Sequence, residues 1–319
     1  MSYNSSAKER FTTAMAFFIG AIVVAILLWI IFAPFTLPSF VGFGMAMVAT
    51  YILRYISSGE QLIRVRSWAV TSLFLIMASV SAPLHQWDVA VWLGACLYLI
   101  HLGALIASCQ ADKPQRATLL SAIALALLTM MDVRTLIILP MTFLGMALAM
   151  RSVSARTMLA LLFGFLLPYE VWAAIHLIMG DLAKAAHAQW SELSHLSLPA
   201  VELSSDGVVQ TVGEMPLLSV SVMGMIILWA LMSIYYYSIR SYNDKIRTRL
   251  QYFTIMLEWP ALLALLVFAP DMAPTAGVLL IICSSPLMAN YFVFSKGRFA
   301  NIVFVLFLIL CIFLALRIL

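Results

Sequence analysis

Charged residues are scarce in this sequence: Asp, Glu, Lys and Arg together account for 10% of its 319 residues. Apolar residues account for 64%, and the mean hydropathy is +1.04. Because soluble domains carry about 25% charged residues, this composition excludes an ordinary water-soluble fold. The net charge of +4 is small, and the basic residues are spread over many short segments. A nucleic-acid-binding surface needs them clustered, so no nucleic-acid partner is expected.

Cysteine and histidine are also few, which limits the metal and redox chemistry available to the chain. The four cysteines have no Cys-x-x-Cys spacing, so neither a disulfide framework nor a zinc finger is expected. His187 and His195 stand two helical turns apart, about 12 Å along a helix, which is too far to chelate one ion. The sequence therefore predicts no metal site and no cofactor.

Long apolar runs, by contrast, are abundant. A helix needs roughly 20 apolar residues to cross a bilayer, and eleven segments approach that length: 15–32, 40–53, 68–81, 89–108, 117–131, 135–150, 157–179, 217–239, 250–268, 276–291 and 300–316. Segments 40–53 and 68–81 are the weakest, and as a re-entrant or interfacial pair they would lower the count. The sequence predicts an all-α, polytopic transmembrane bundle of ten or eleven spans, with residues 1–319 forming a single integral membrane domain.

The basic residues predict the orientation of this bundle. If the N-terminus is cytoplasmic, fifteen of the eighteen Lys and Arg residues fall in cytoplasmic segments. The positive-inside rule therefore favours a cytoplasmic N-terminus. The first apolar run is longer than the apolar part of a signal peptide, and no cleavage site follows it, so we expect it to remain as an anchor.

One long connection, residues 180–216, lies on the outer side in this threading. Its first half has apolar residues at helical spacing after Asp181, which is placed as an N-cap, and its second half contains a turn and the β-prone run 208–212. An amphipathic helix lying in the outer membrane interface is predicted. Besides the lipid bilayer, the expected partner is a periplasmic or membrane protein that contacts this loop.

Ionisable residues within predicted membrane helices are the main functional candidates, because a charge there costs several kcal/mol. Glu170 and Glu258 each lie within two residues of a proline, Pro168 and Pro260 respectively. A proline kink beside a carboxyl group can build a cavity wall or a proton site. The alternative is a hydrogen-bonded carboxyl group that joins neighbouring helices. We expect at least one of the two to face the bundle interior.

Four further polar residues are weaker candidates. His101 lies in the middle of the fourth predicted span and His176 near the outer end of the seventh, where packing is the commoner role. Asp132 and Arg134 lie in a tight outer turn and are the candidates for catalysis. Their side chains either pair with each other or leave Arg134 to meet a lipid phosphate or pyrophosphate.

Two stretches resemble a known family. Residues 164–169 read GFLLPY after a basic inner turn, and residues 285–292 read SPLMANYF, followed by SKGR at 295–298 and a final apolar helix. They are similar to polytopic inner-membrane proteins without an assigned activity from gut and gliding Gram-negative bacteria. The resemblance implies a bacterial inner (cytoplasmic) membrane and a cell-envelope setting. Some members carry carotene-oxygenase names, but an iron oxygenase needs several converging histidines, and here only His101 lies mid-membrane.

Three classes of function fit these features, and the sequence leaves open whether the protein is an enzyme. The first is a scaffold or assembly role in the envelope, favoured by the lack of a dense catalytic constellation. The second is a transferase or polymerase that acts on a polyprenyl-linked glycan at the outer face, with an outer carboxylate as base and an outer Arg on the pyrophosphate. The third is a proton-coupled transporter or flippase that uses Glu170 and Glu258, although no internal repeat supports it.

Overall fold

Helices form almost all of the chain that the structure describes. The computed structural model describes residues 14–60, 62–63, 65, 67–150, 154–194, 201–203, 209–212, 215–295 and 298–316. The α-helices in these residues, numbered in chain order, are α1 Met15–Phe32, α2 Leu37–Gly59, α3 Ala69–Val80, α4 Ala82–His85, α5 Val89–Ser108, α6 Pro114–Met131, α7 Ile138–Leu144, α8 Ala155–Met179, α9 Leu182–Ser194, α10 Leu217–Arg240, α11 Ile246–Phe268, α12 Ala273–Phe294 and α13 Arg298–Ala315.

Short irregular turns connect several of these helices. They are the 3₁₀ turns Val133–Ile137, Ser241–Asn243 and Pro270–Met272 and the π-helical turn Gly145–Met150. Local signals explain several helix ends. Asp88 caps α5 by accepting a hydrogen bond from the Ala90 amide, and Ser154 and Thr157 form a capping box at the start of α8. Gly180, at a φ of +76°, ends α8 in the left-handed conformation that glycine adopts at little cost.

Nine helices in the described ranges are long and apolar enough to cross a membrane: α1, α2, α5, α6, α8, α10, α11, α12 and α13. The prediction of a helical, multi-pass membrane bundle is therefore confirmed. Segment 40–53, expected to be weak, belongs to the 23-residue helix α2. Segments 68–81 and 135–150 are different, because their apolar helical stretches, Ala69–Val80 and Val133–Leu148, are shorter than a full span.

Helix α12 lies at the centre of the bundle, and nearly every residue along it is buried. Pro286 lies in its middle and has no amide hydrogen for the Ile282 carbonyl one turn earlier. The Ser285 hydroxyl donates a 3.0 Å hydrogen bond to that carbonyl instead. A neighbouring side chain thus satisfies the acceptor that the proline leaves open, and the helix continues through the core.

Helices α2 and α5 run parallel to each other. Gly42 lies against the Trp87 carbonyl, and Gly103 lies against the Ile56 side chain, so residue numbers rise in the same direction along both helices. The chain between them must therefore return from one end of the bundle to the other, and α3 makes this return. All twelve residues of α3 are buried among other helices. Because α3 does not contact lipid, its length of about 18 Å does not have to equal the thickness of the apolar part of the bilayer.

Helices α6 and α8 are also parallel, because residue numbers rise in the same direction along both of them. Gly164 lies against Leu119 and Ala122 near one end, and the Tyr169 hydroxyl donates a 2.9 Å hydrogen bond to Thr129 Oγ1 further along. The segment Val133–Leu148 therefore also runs from one end of the bundle to the other.

Ion pairs mark the two ends of the bundle. At one end Arg247 Nη2 lies 2.5 Å from Glu60 Oε2. At the other end Arg134 lies between Asp132 and Asp271. We call these the Glu60 end and the Arg134 end.

The connection between α8 and α10 contains the helix and the strand expected from the sequence. Helix α9 begins directly after Asp181, whose carbonyl accepts a 3.0 Å hydrogen bond from the Ala185 amide. Three short antiparallel strands follow, β1 Val201–Leu203, β2 Val209–Val212 and β3 Met215–Pro216, in the order β1-β2-β3. His195 lies outside the described residues.

Candidate functional site

Glu258 lies on α11 in the centre of the bundle and is fully buried. The hydroxyl of Tyr98, on α5, donates a 2.6 Å hydrogen bond to Glu258 Oε2. Glu258 therefore meets the expectation that one of the two membrane carboxyl groups faces the interior. Burial of a carboxyl group in an apolar core is tolerated only when partners satisfy its oxygens.

Tyr98 connects Glu258 to a third helix. Its hydroxyl oxygen lies 2.9 Å from Cys283 Sγ on α12. The hydroxyl has a single hydrogen, which it donates to Glu258, so the thiol is the donor in the second contact. A chain of hydrogen bonds thus runs from Cys283 through Tyr98 to Glu258 and crosses three helices.

His101 lies one turn from Tyr98 on α5 and approaches the other oxygen of Glu258. The distance from His101 Nε2 to Glu258 Oε1 is 3.4 Å, but Oε1 has no well-aligned donor among the described residues. On the far side of the ring, Nδ1 lies 3.0 Å from the Ser121 carbonyl oxygen on α6. The Ser121 hydroxyl oxygen lies 2.9 Å from the same nitrogen, so both oxygens of Ser121 contact this side of the ring.

The other ring nitrogen of His101, Nε2, has two oxygen neighbours. Thr142 Oγ1, on α7, lies 3.3 Å from Nε2 and donates its own hydrogen to the Ile138 carbonyl. Both neighbours of Nε2, Thr142 Oγ1 and Glu258 Oε1, therefore present lone pairs to it. A hydrogen on Nε2 would point at these two oxygens, which lowers the cost of burying the carboxyl group.

These contacts join α5, α6, α7, α11 and α12 around Glu258. The sequence left two roles open for this carboxyl group, a cavity wall and a hydrogen-bonded joint. The observed partners of Glu258 are Tyr98 and His101 of the neighbouring helix α5, which is the arrangement of a joint.

Glu170 has the opposite environment. The buried residues of α8 are Thr157, Leu161, Gly164 and Pro168, which follow one face of the helix against the bundle. Glu170 is exposed on the other face. The two carboxyl groups that the sequence paired as a possible proton route therefore lie in different surroundings, one in the core and one on the outside.

His176 lies near the end of α8 and pairs with the residue that starts the next helix. Its Nδ1 lies 2.8 Å from Asp181 Oδ1. The pair spans the turn at Gly180 and holds the end of α8 next to the start of α9. This is a structural contact of the loop that the sequence singled out as a partner-binding segment.

Arg134 lies between two carboxylates. Its Nε and Nη2 lie 3.0 and 2.8 Å from the two oxygens of Asp132, and its Nη1 lies 2.7 and 2.6 Å from those of Asp271. Asp271 belongs to the turn between α11 and α12, so the guanidinium group ties this turn to the one after α6. Of the two alternatives from the sequence, pairing with Asp132 is the one observed.

This pairing makes Arg134 a poor anion site. A guanidinium group has three nitrogen atoms, and the two carboxylates contact all three of them. One positive charge stands against two negative charges, so the cluster carries a formal charge of −1. A pyrophosphate group would meet net repulsion unless it displaced a carboxylate.

A cavity of about 600 Å³ opens beside Arg134. Arg134 and the apolar side chains that follow it on the 3₁₀ turn and α7 form one wall, and Leu265 and Phe268 of α11 form the other. Leu193 of α9 also lines it, so the helix of the long loop reaches this cavity. The lining is apolar apart from Arg134.

His85 is a further buried polar residue, which the sequence reading did not single out. It lies in α4, between the spanning helices α2 and α5. The Trp87 amide donates to His85 Nδ1 at 3.2 Å, and the ring nitrogen Nε2 lies 2.9 Å from the Ala78 carbonyl. Both ring nitrogens therefore have a hydrogen-bond partner when the ring is neutral. Burial disfavours the charged ring and lowers the pKa of His85 to about 4.

Several residues of these sites were missed from the sequence because their types are common in membrane helices. Tyr98, Ser121 and Cys283 look like ordinary packing residues in a sequence. The spacing of Tyr98 and His101, three positions apart on α5, was the one available signal, because such residues lie on the same helix face. Asp271 gave no signal in the sequence, because it lies far from Arg134 along the chain.

None of the family models, curated proteins or solved structures compared with this chain matches it.

Proposed function

We propose that this protein is a scaffold or assembly factor of the bacterial inner membrane that holds a membrane partner against the exposed face of α8. The observation that carries the proposal is the exposed carboxyl group of Glu170 on that face. Glu170 stands about 22 Å from the Ala155 end of α8, well inside the span of the helix. An ionisable side chain facing lipid near the middle of a bilayer costs about 2.5–3.5 kcal/mol on insertion scales.

The apolar residues around Glu170 extend the proposed contact surface. Phe163, Leu166, Leu167 and Val171 are all exposed on α8. A partner helix that packs on this surface and carries a Lys, Arg or polar donor opposite Glu170 would offset the cost of the carboxyl group. Polar groups between membrane helices act in this way. Residues 180–216 follow α8 directly, and we infer that the same partner extends to this loop on the periplasmic side.

The orientation belongs to the same proposal. The parallel pairs α2 with α5 and α6 with α8 support counting α3 and the segment Val133–Leu148 as crossings, which makes eleven. With a cytoplasmic N-terminus, the Glu60 end faces the cytoplasm. Labelling of single cysteines introduced at Lys245 and Ser205 tests this. An impermeant maleimide added to intact cells should label position 205 and not position 245, and the reverse result would overturn the threading.

Photocrosslinking in native membranes tests the partner. Leu167 and Ala174 are exposed on α8 near Glu170, and Ile302 is exposed on α13 as the control position. A photoreactive residue at 167 or 174 should give a discrete protein adduct, which Glu170→Leu should reduce several-fold. The same probe at 302 should give none. The adduct's membrane segment should contain a basic or polar residue whose replacement has the same effect as Glu170→Leu. Lipid adducts alone at both α8 positions would refute the proposal.

A second function is favoured by one observation, the cavity that Arg134 shares with Leu193. Convergence of the outer turn and the long loop on one cavity is what an enzyme of polyprenyl-linked glycan assembly would need. Asp132→Asn would then abolish glycan transfer or polymerisation in membranes. If the protein is a scaffold, the Asp132→Asn variant should still form the photocrosslink between α8 and its partner.

A transporter or flippase receives less support. That alternative relied on Glu170 and Glu258 acting on one route, and the described positions separate them into an exposed face and a buried network.

A further inference from the structure

An apolar groove runs along helix α1 between this helix and the second half of α13. Its volume is about 440 Å³, and its lining on α1 extends from Ala16 to Ile31, a length of about 22 Å. The buried helix α3 contributes Val80, and every lining residue is apolar. Val24 and Leu27 line the groove and are exposed, so it opens sideways from the spanning helix α1. Such a groove is suited to one hydrocarbon chain.

A second cavity, of about 410 Å³, begins where the groove ends. Phe32 lines it and directly follows Ile31 of the groove, and Ala82 lines it two residues after Val80. The two cavities are therefore neighbours along α1 and along the segment from α3 to α4. Because Phe32 is the last residue of the spanning helix α1, the second cavity lies at one surface of the bundle, and the groove extends from it into the span.

This second cavity, which we call the head pocket, lies between Phe32, Pro34, Pro83 and Gln86 and has mixed polarity. Gln86 contributes a side-chain amide, whereas Phe32 and the two prolines contribute apolar walls. Among the described residues that line the groove or the head pocket, none is Asp, Glu, His, Lys or Arg. A phosphate or ammonium group would lose hydration there without gaining an ion pair, which is unfavourable. The lining therefore favours an uncharged head.

The backbone turn that carries Gln86 is strained and firmly held. Gln86 and Trp87 have φ angles of 45° and 57°, in the left-handed region that is costly for residues other than glycine. The Gln86 amide donates to the Ala82 carbonyl at 2.8 Å, the Trp87 amide donates to His85 Nδ1 at 3.2 Å, and Gly42 packs against the Trp87 carbonyl. The turn buries Trp87 and leaves Gln86 exposed at the head pocket. Strain of this kind is concentrated at ligand sites and switches.

We propose that the groove and the head pocket together bind an isoprenoid quinone. A quinone has one apolar tail, which occupies the groove, and a bulky uncharged ring, which occupies the head pocket. Gln86 Nε2 donates a hydrogen bond to a quinone carbonyl oxygen, and Phe32, Pro34 and Pro83 pack against the ring. A lipid with two acyl chains would leave one chain outside the groove, and the hydroxyl group of a polyprenol would leave most of the head pocket empty. The site contains no residue of α8, so it is independent of the partner surface proposed on that helix.

Photolabelling of the purified full-length protein in nanodiscs tests the proposal. The probe is an azidoquinone with a decyl tail, and the adduct is located by mass spectrometry of peptides. Labelling should saturate at one adduct per protein, in peptides that contain residues 32–34 or 82–87. Unlabelled decylubiquinone should compete with the probe, whereas dioleoylglycerol and undecaprenol at the same concentration in the membrane should not.

Matched variants separate ring binding from tail binding. Gln86→Met keeps the length of the side chain and should weaken binding of decylubiquinone about five- to tenfold, the effect of one lost hydrogen bond. Gly20 lines the groove and has no atom within 4 Å of an added Cβ, so Gly20→Leu should fold and fill the groove. It should weaken decylubiquinone about tenfold but leave competition by the same ring without a tail unchanged. Gly224→Leu on α10, with equally open surroundings, is the control and should alter neither.

Three results would overturn the proposal. The first is labelling that does not saturate, or that lies outside the two peptides. The second is competition by dioleoylglycerol or undecaprenol equal to that by decylubiquinone. The third is unchanged decylubiquinone binding in folded Gln86→Met and Gly20→Leu variants.

Discussion

The hydroxyl of Tyr98 and the carboxyl group of Glu258 are joined by a 2.6 Å hydrogen bond in the middle of the bundle, where both side chains are fully buried. A short bond to a carboxyl group in an apolar surrounding is among the stronger hydrogen bonds in proteins. It ties α5 to α11, and through Cys283 it also reaches α12. The polar core of this bundle is therefore a connected network.

Removal of the Tyr98 hydroxyl should destabilise the bundle. Tyr98→Phe leaves Glu258 Oε2 without its donor, and an unsatisfied buried acceptor costs about 1–3 kcal/mol. The thermal unfolding temperature in detergent should fall, whereas Tyr55→Phe at an exposed position should leave it unchanged. Equal unfolding temperatures for both variants would contradict the network.

The 3.4 Å contact between His101 Nε2 and Glu258 Oε1 predicts energetic coupling between these two residues. His101→Gln and Glu258→Gln should each destabilise, but the double variant should lose less than the sum, with a coupling free energy of about 0.5–3 kcal/mol. The cycle is measured by unfolding in detergent. Additive effects would mean that the 3.4 Å contact between the two groups carries no interaction.

Gly164 should not tolerate a larger side chain. A Cβ at this position would lie 2.8 Å from both the Leu119 carbonyl oxygen and the Ala122 Cβ, so α8 would have to move away from α6. Gly164→Ala should cost about 1–3 kcal/mol. Gly224→Ala, where nothing lies within 4 Å, should be neutral or slightly stabilising and is the matched control. A stable Gly164→Ala variant would show that α8 packs less closely than described.

Acidification should destabilise the protein through His85. Its pKa in the folded protein, about 4, lies below the ordinary value of 6.5, so between these pH values the unfolded chain binds a proton that the folded protein does not. Stability should therefore fall as the pH is lowered from 6.5 towards 4, by about 3 kcal/mol from this residue. Unfolding temperatures measured from pH 7 to pH 4 should fall less steeply for His85→Gln, and identical slopes would assign the acid sensitivity to other groups.

The two ion pairs at the ends of the bundle should differ in strength. Arg134→Gln breaks two carboxylate contacts of a buried guanidinium group and should cost about 2 kcal/mol, less than for a fully buried pair because Asp271 is half exposed. Arg247→Gln breaks a more exposed pair with Glu60 and should cost less than about 1 kcal/mol. Urea or thermal unfolding compares them, and a larger effect at Arg247 would reverse the assignment.

The amino-acid sequence on its own determined the membrane class, the approximate helix positions and the helix and strand of the long loop. These features depend on the length and spacing of apolar residues, which are local properties of the chain. It did not distinguish Glu170 from Glu258, because both are carboxyl groups within two residues of a proline in an apolar helix. It also did not reveal Asp271 as the second partner of Arg134, because the two are distant in the chain.

The tertiary structure decided these points through the rotation of each helix about its axis. Contact of Gly164 with α6 turns Glu170 outward, while the packing of α11 against α5 and α12 turns Glu258 towards Tyr98 and His101. Helix rotation follows from the shapes of all neighbouring helices together, and no local pattern encodes it. The sequence thus established that two carboxyl groups lie within membrane helices, and only packing decided which of them belongs to the core and which is left for a partner.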